Sequence, residues 1–146
     1  MSGRKDPWRN SRFKLEIGNI IKAQFSEITV PDSSTDVIEY REGDDLHTNS
    51  RKIPGLTKYS NVVLKRGTTD NKDINDWYQK VVEGRIREAR TDFAIVLLDE
   101  LGKEAARWDF NGGWPTKYDP SDLNAKGNDI AIETLEIAHE GMVRSK

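Results

Sequence analysis

From Arg12 the chain alternates, with Phe13, Leu15 and Ile17 on one side and Arg12, Lys14 and Glu16 on the other, the two-residue period of a half-buried strand. Gly18-Asn19 supplies a tight turn, and Ile20 to Val30 forms the return strand, with Ile21, Ala23 and Phe25 on one face and Lys22, Gln24 and Ser26 on the other. After Phe25 the apolar phase slips to Ile28 and Val30, which predicts a β-bulge. A turn at Pro31-Asp32-Ser33-Ser34 leads into a third strand, Thr35 to Arg41, with Ile38 and Tyr40 sharing a face. Glu42 to Tyr59 has no sustained period and exceeds the usual loop length, so it reads as a long excursion before strand character returns at Ser60 to Arg66.

The period then changes. Ile74, Trp77, Tyr78, Val81 and Val82 recur at three and four residues, which predicts a helix over 70–83 with Asp70 as N-cap, Asp73 in the first turn and Gly84 as its stop. So short a helix is marginal alone and has to bury that stripe on the strands. Phe93 to Leu98 is apolar on both faces and predicts the most buried strand. Beyond a loop at Asp99 to Lys103, Ala106, Trp108 and Phe110 alternate with Arg107, Asp109 and Asn111. Gly112-Gly113-Trp114-Pro115 bends the chain, and a polar connection from Lys117 to Asn128 follows. In the last strand, Asp129 to Met142, the apolar face switches from Ile130 and Ile132 to Leu135 and Ile137, again the mark of a bulge. About seven antiparallel strands with one flanking helix predict a mainly β fold, either a barrel or a two-sheet sandwich.

Composition narrows the function. The 146 residues suit a single domain over 1–146, its first part an N-terminal arm over 1–11. Leu, Ile, Val and Phe make up about 23% of the chain, so the core is lean. A third of the residues are charged yet the net charge is only −2, so both signs intersperse over the surface. That balance provides no basic patch for nucleic acid or an anionic membrane. Cysteine is absent, which removes disulfides, thiolate metal sites and cysteine nucleophiles together. The N-terminal residues carry no apolar run of the secretory kind and no segment is long and apolar enough for a membrane helix, so a cytoplasmic origin is expected.

Catalytic readings find little support. Lys65-Arg66-Gly67-Thr68-Thr69 ahead of a helix could cradle phosphate, but the glycine-rich stretch of a P-loop is missing and Asp70 and Asp73 would repel an anion. Asp44, Asp45 and His47 are metal-ligand types on an irregular loop without a matching partner elsewhere. Glu136 and Glu140 could share a strand face with Glu133 and His139 nearby, but an exposed face is the simpler account of them. No Ser-His-Asp arrangement stands out, so neither catalytic residue, metal nor cofactor is expected. What remains is surface: regular polar strand faces, sheet edges and a long polar excursion, which point to assembly. A monomeric β-barrel that binds a small molecule is the competing class, and a measurement of particle size separates the two.

Several blocks resemble one family, the tail-tube proteins of contractile phages and phage-derived contractile injection systems. They are Val37 to Gly43, Arg51 to Tyr59, Asn61 to Gly67, Leu97-Leu98-Asp99-Glu100, Trp108-Asp109-Phe110, Trp114-Pro115 and Asn128 to Glu133, in order along nearly the whole chain. The resemblance implies a β-barrel flanked by a helix, similar to the type VI secretion tube protein, forming hexameric rings that stack into a hollow tube inside a sheath. It implies as partners further copies of the chain, sheath, baseplate, spike and terminator proteins, and a cargo or tape-measure protein in the lumen. It implies assembly in the cytoplasm, followed by residence in a virion, an extracellular particle or a cell-anchored device. On that footing the excursion over 42–59 is expected to dock on a neighbouring ring through Arg41, Glu42, Asp44, Asp45, Arg51, Lys52, Ile53 and Pro54. Ile74, Trp77, Tyr78 and Val81 are expected as helix core, and Lys22, Gln24, Ser26, Arg107, Asp109 and Asn111 as candidates for the lumen face.

Overall fold

In the computed structural model, residues 12–18, 21–41, 43, 50–67, 72–120 and 132–146 are described. The described strands are β1 (Arg12–Ile17), β2 (Ile21–Phe25), β3 (Glu27–Thr29), β4 (Ser33–Tyr40), β5 (Arg51–Tyr59), β6 (Val62–Gly67), β7 (Thr91–Leu98), β8 (Glu104–Asp119), β9 (Ile132–Ala138) and β10 (Gly141–Arg144). Two helices, α1 (Asp73–Val82) and the single turn α2 (Ile86–Ala89), stand between β6 and β7.

Two antiparallel layers share the long strand β8, so the fold is a sandwich and not a closed barrel. One layer runs β2-β1-β7-β8 with β10 also on β8, and the other runs β8-β9-β6-β3. The chain changes layer at two places. Ser26 separates β2, in the first layer, from β3, in the second, and its amide donates to the Lys65 carbonyl of β6 at 2.9 Å. The phase slip after Phe25 is therefore a change of sheet, not a bulge. Within β8, residues Glu104 to Gly113 pair with β7 and Trp114 to Asp119 with β9. Gly112 sits at this step with φ of 56°, a backbone region that residues with a side chain enter at a cost. A Cβ on Gly113 would stand 2.2 Å from the Phe93 ring, so both glycines are required where β8 crosses. The strand continues through the expected bend and takes in Lys117 to Asp119 of the polar connection.

Leu15, Ile17, Ala23, Phe25, Phe93, Ile95, Leu97, Ala106, Trp108 and Phe110 fill the gap from one layer, and Val62, Leu64, Leu135 and Ile137 from the other. α1 packs against β8 and adds Ile74 and Trp77 to this core. Trp77 donates its indole Nε1–H to the Ala89 carbonyl at 2.7 Å, the partner a buried indole needs. Tyr78 and Val81 are half-buried, and Val82 at 61% exposed lies off the stripe to which its spacing assigned it. The helix begins after Lys72, which makes no side-chain cap, and Asp70 lies outside the described residues. Gly84, with φ of 79°, ends it: the Arg85 amide returns to the Lys80 carbonyl and the Gly84 amide to Val81.

β7 is buried from Phe93 to Leu98, for a mixed reason. Phe93, Ile95 and Leu97 enter the core, while Val96 lies in register with Lys14 and Arg107, and Ala94 with Glu16 and Asp109. The long stems of those flanking side chains cover the small apolar ones.

Candidate assembly interface

β4 and β5 pair with each other and, among the described residues, with no strand of the sandwich. Both strands are exposed along nearly their whole length. Residues 51–59, expected to be part of a patternless excursion, are thus the second strand of a hairpin arm. The third strand begins at Ser33 and takes up Ser33-Ser34, which the sequence assigns to a turn. Arg51, Lys52, Ile53 and Pro54 lie in β5 and Arg41 just after β4, while Glu42, Asp44, Asp45 and His47 are outside the described residues. Register pairs Ile38 with Ile53 and Tyr40 with Arg51 on one face, and Val37 with Pro54 and Glu39 with Lys52 on the other. β5 holds one more residue than β4 between the Thr35–Thr57 and Val37–Pro54 pairs, a bulge at Gly55-Leu56. A Cβ on Gly55 would come within 3.1 Å of Ile38, so glycine lets Ile38 lie flat on the arm. Leu56 is 72% exposed, Val37 63%, and Ile38, Tyr40 and Ile53 between 44% and 48%. Large apolar side chains exposed this way make the arm a candidate interaction surface.

The root of the arm is well tied. The Ser60 amide donates to the Asp32 carbonyl at 3.0 Å, and the Asp32 amide donates to Ser60 Oγ at 2.8 Å. Asn61 Nδ2 donates to Glu136 Oε2 at 2.9 Å, so Glu136 is half-buried and engaged, and not one of an exposed carboxylate pair. Glu140 instead lies 3.8 Å from Arg90.

A second surface is the outer face of the β2-β1-β7-β8 layer. Arg107 spends its whole guanidinium there: Nη2 donates to Glu16 at 3.1 Å, Nη1 to Glu104 at 3.2 Å and Nε to Asp109 at 3.2 Å. Lys14 joins through Glu16 at 3.0 Å. Burial alone would raise the Glu16 carboxyl, but Lys14 and Arg107 outweigh it and hold it below its usual value. Register places Gln24 opposite Lys14, so three of the six residues chosen for the lumen, Gln24, Arg107 and Asp109, share one face, while the backbone of Lys22 pairs with Glu16. Asn111 follows them at the step in β8, whereas Ser26 sits at the layer change and donates its hydroxyl to the Lys65 carbonyl.

Between the layers lies an ion pair that the apolar pattern did not reveal. Arg66 Nε donates to Glu133 Oε2 at 2.7 Å, both residues being about 5% exposed. Tyr118 donates its hydroxyl to Glu133 Oε1 at 2.9 Å, and the Phe25 ring stacks under the guanidinium at 5.0 Å. Burial and the Glu133 carboxylate push the Tyr118 phenol up to about 12. Glu133 occupies the inward position that continues Leu135 and Ile137, and Ile132 faces out. The face switch in the last strand is thus no bulge: the β6–β9 ladder is regular, and a buried carboxylate interrupts the apolar run. Ile130 lies outside the described residues. Arg66 is committed to this pair and unavailable to the phosphate cradle, of which Thr68 and Thr69 lie outside the described residues.

Among the described residues no group of three or more His, Asp or Glu could hold a metal ion, and no helix is long and apolar enough to cross a membrane. Surface depressions of about 320–380 Å³ lie along polar strand faces and at the α1–α2 corner, while side chains fill the space between the layers. A filled sandwich with an exposed apolar hairpin and a polar outer face is the construction of an assembly subunit. The match over residues 9–143 to the family described as T4-like virus tail tube protein gp19 makes that specific: the chain belongs to this family of structural tube proteins. Solved structures share the fold. A chain of the sheath/tube terminator of an extracellular contractile injection system (PVC, extended state) is 25% identical, with 97% of this chain and 99% of that chain covered and a TM-score of 0.73. A chain of the PVC sheath-tube complex is 24% identical over 97% and 93%, with a TM-score of 0.72. Hcp1 from Flavobacterium johnsoniae is 12% identical over 91% and 94%, with a TM-score of 0.53. No curated protein matches by sequence.

Proposed function

We propose that the protein is a non-enzymatic building block of the inner tube of a contractile tail or injection system, its copies forming hexameric rings that stack into a hollow conduit. The observation that carries this reading is the β4–β5 arm, which leaves Val37, Ile38, Ile53 and Leu56 in water on the isolated chain. Full burial of a large apolar side chain contributes roughly 1.5–3 kcal/mol. Docking the arm on a copy in the next ring supplies the missing cover, with Arg41, Arg51 and Lys52 and the acidic Glu42, Asp44 and Asp45 setting register by charge.

The polar face around Glu16 and Arg107 lines the lumen. Its charges are already spent on one another, so a passing cargo or tape-measure protein meets hydrated pairs worth only about 0–1 kcal/mol each. Sheath, baseplate, spike and terminator proteins complete the particle, which assembles in the cytoplasm before joining a virion or an injection device. The test is a single cysteine at Gln24 or Asp109 in this cysteine-free chain, with assembled tubes treated with a small thiol reagent and one too bulky to enter. Mid-tube sites are expected to react with the small reagent alone; equal labelling by the bulky one places this face outside.

A further inference from the structure

We propose that His139 is the positioning residue of the docking arm, a latch that fixes the direction in which β4 and β5 leave the sandwich. His139 stands at the bend between β9 and β10, on a platform held by the Glu140 amide donating to the Asn111 carbonyl at 2.9 Å. Its Nε2 lies 2.9 Å from the carbonyl of Ser60, the residue that follows β5 and closes the root against Asp32. The ring also packs 5.6 Å from Tyr59, the last residue of the arm, and edge-on to the core rings of Phe110 at 4.9 Å and Phe93 at 6.4 Å. One side chain therefore touches the arm's end and the sandwich's centre.

The chemistry of the partner fixes the tautomer. A carbonyl oxygen only accepts, so Nε2 carries the proton and Nδ1 is bare. Nδ1 is buried with no partner among the described residues, an arrangement that tolerates a lone pair better than an orphaned N–H. A hydrogen bond from a ring packed edge-on against the stacked pair Phe93 and Phe110 leaves the Ser60 carbonyl little freedom, and a two-stranded arm is marginal without such an anchor. That the latch governs docking rests on the tube reading; that it positions the arm does not.

The test uses the full chain. Nitrogen-15 NMR of the wild-type protein is expected to show His139 as the Nε2–H tautomer, and finding the Nδ1–H form would overturn the proposal whether or not any variant folds. In His139→Leu the Ser60 amide is expected to exchange its hydrogen about tenfold faster, while His139→Gln, which keeps a donor for the Ser60 carbonyl, stays within about twofold of wild type. Unchanged exchange in a folded His139→Leu protein would likewise overturn it. Tubes of the leucine variant should be shorter than those of the glutamine variant. Failure of the wild type to form rings at all would count against the tube reading alone, since tautomer and exchange are read on the subunit itself.

Discussion

The sandwich and the arm are built from the same kind of strand and meet opposite fates. Val62, Leu64, Ile95 and Ile137 are fully buried, whereas Val37, Ile38, Ile53 and Leu56, of the same chemical type, stand in water. The sandwich buries its inner faces between two layers and helix α1; the arm is a single hairpin that, among the described residues, no strand of the sandwich covers. The difference shows that β-propensity makes strands, but burial decides which of them contribute to the subunit's stability.

The comparison is tested hardest where the core is densest. Trp77→Ala removes a buried indole and its bond to Ala89, and the chain should lose about 3–5 kcal/mol in denaturant melts; a loss under about 1 kcal/mol would mean that α1 is not part of the core. Arg66→Met leaves Glu133 buried without its cation and should also cost about 3–5 kcal/mol, with Arg66→Met/Glu133→Leu costing clearly less than either single change. Gly113→Ala forces a methyl against Phe93 and should cost about 1–3 kcal/mol, read by the same melts.

A smaller effect is read by pH. The Tyr118 phenol is raised to about 12 in the fold, above the ordinary value near 10, so its contribution is fully present below about pH 10 and is lost as pH rises towards 12. Ultraviolet titration should show a tyrosine ionising near pH 12, and Tyr118→Phe should remove that step. At the low end of the scale, Ile38→Ser or Leu56→Ser should change subunit stability by no more than about 0.5 kcal/mol, because neither side chain is buried in the subunit.

Where one face is buried, the sequence showed it plainly: β1, the described part of β2 from Ala23 to Phe25 and the first half of β8 alternate as read, and Ile74 and Trp77 lie at the helical spacing. Three features hid for physical reasons. Arg66 and Glu133 occupy core positions with charges that neutralise each other, so an apolar count registers polar residues and infers a bulge. The change of layer at Ser26 shifts the inward phase as a bulge does. The strand over 51–59 has no period because neither of its faces meets a core, and Pro54 and Gly55 make it look like a loop. The arm was therefore legible as a place but not as a structure, and His139, read in the sequence only as a neighbour of Glu136 and Glu140, carried no sign of its contacts with Ser60 and Tyr59.

Electron microscopy of purified wild-type protein beside an Ile38→Ser/Leu56→Ser variant tests the central claim most directly. Wild-type protein is expected to form stacked rings, and the variant to melt like wild type while stopping at subunits or isolated rings. Long tubes of normal length from the folded variant would contradict the assignment of the arm as the element that joins one ring to the next.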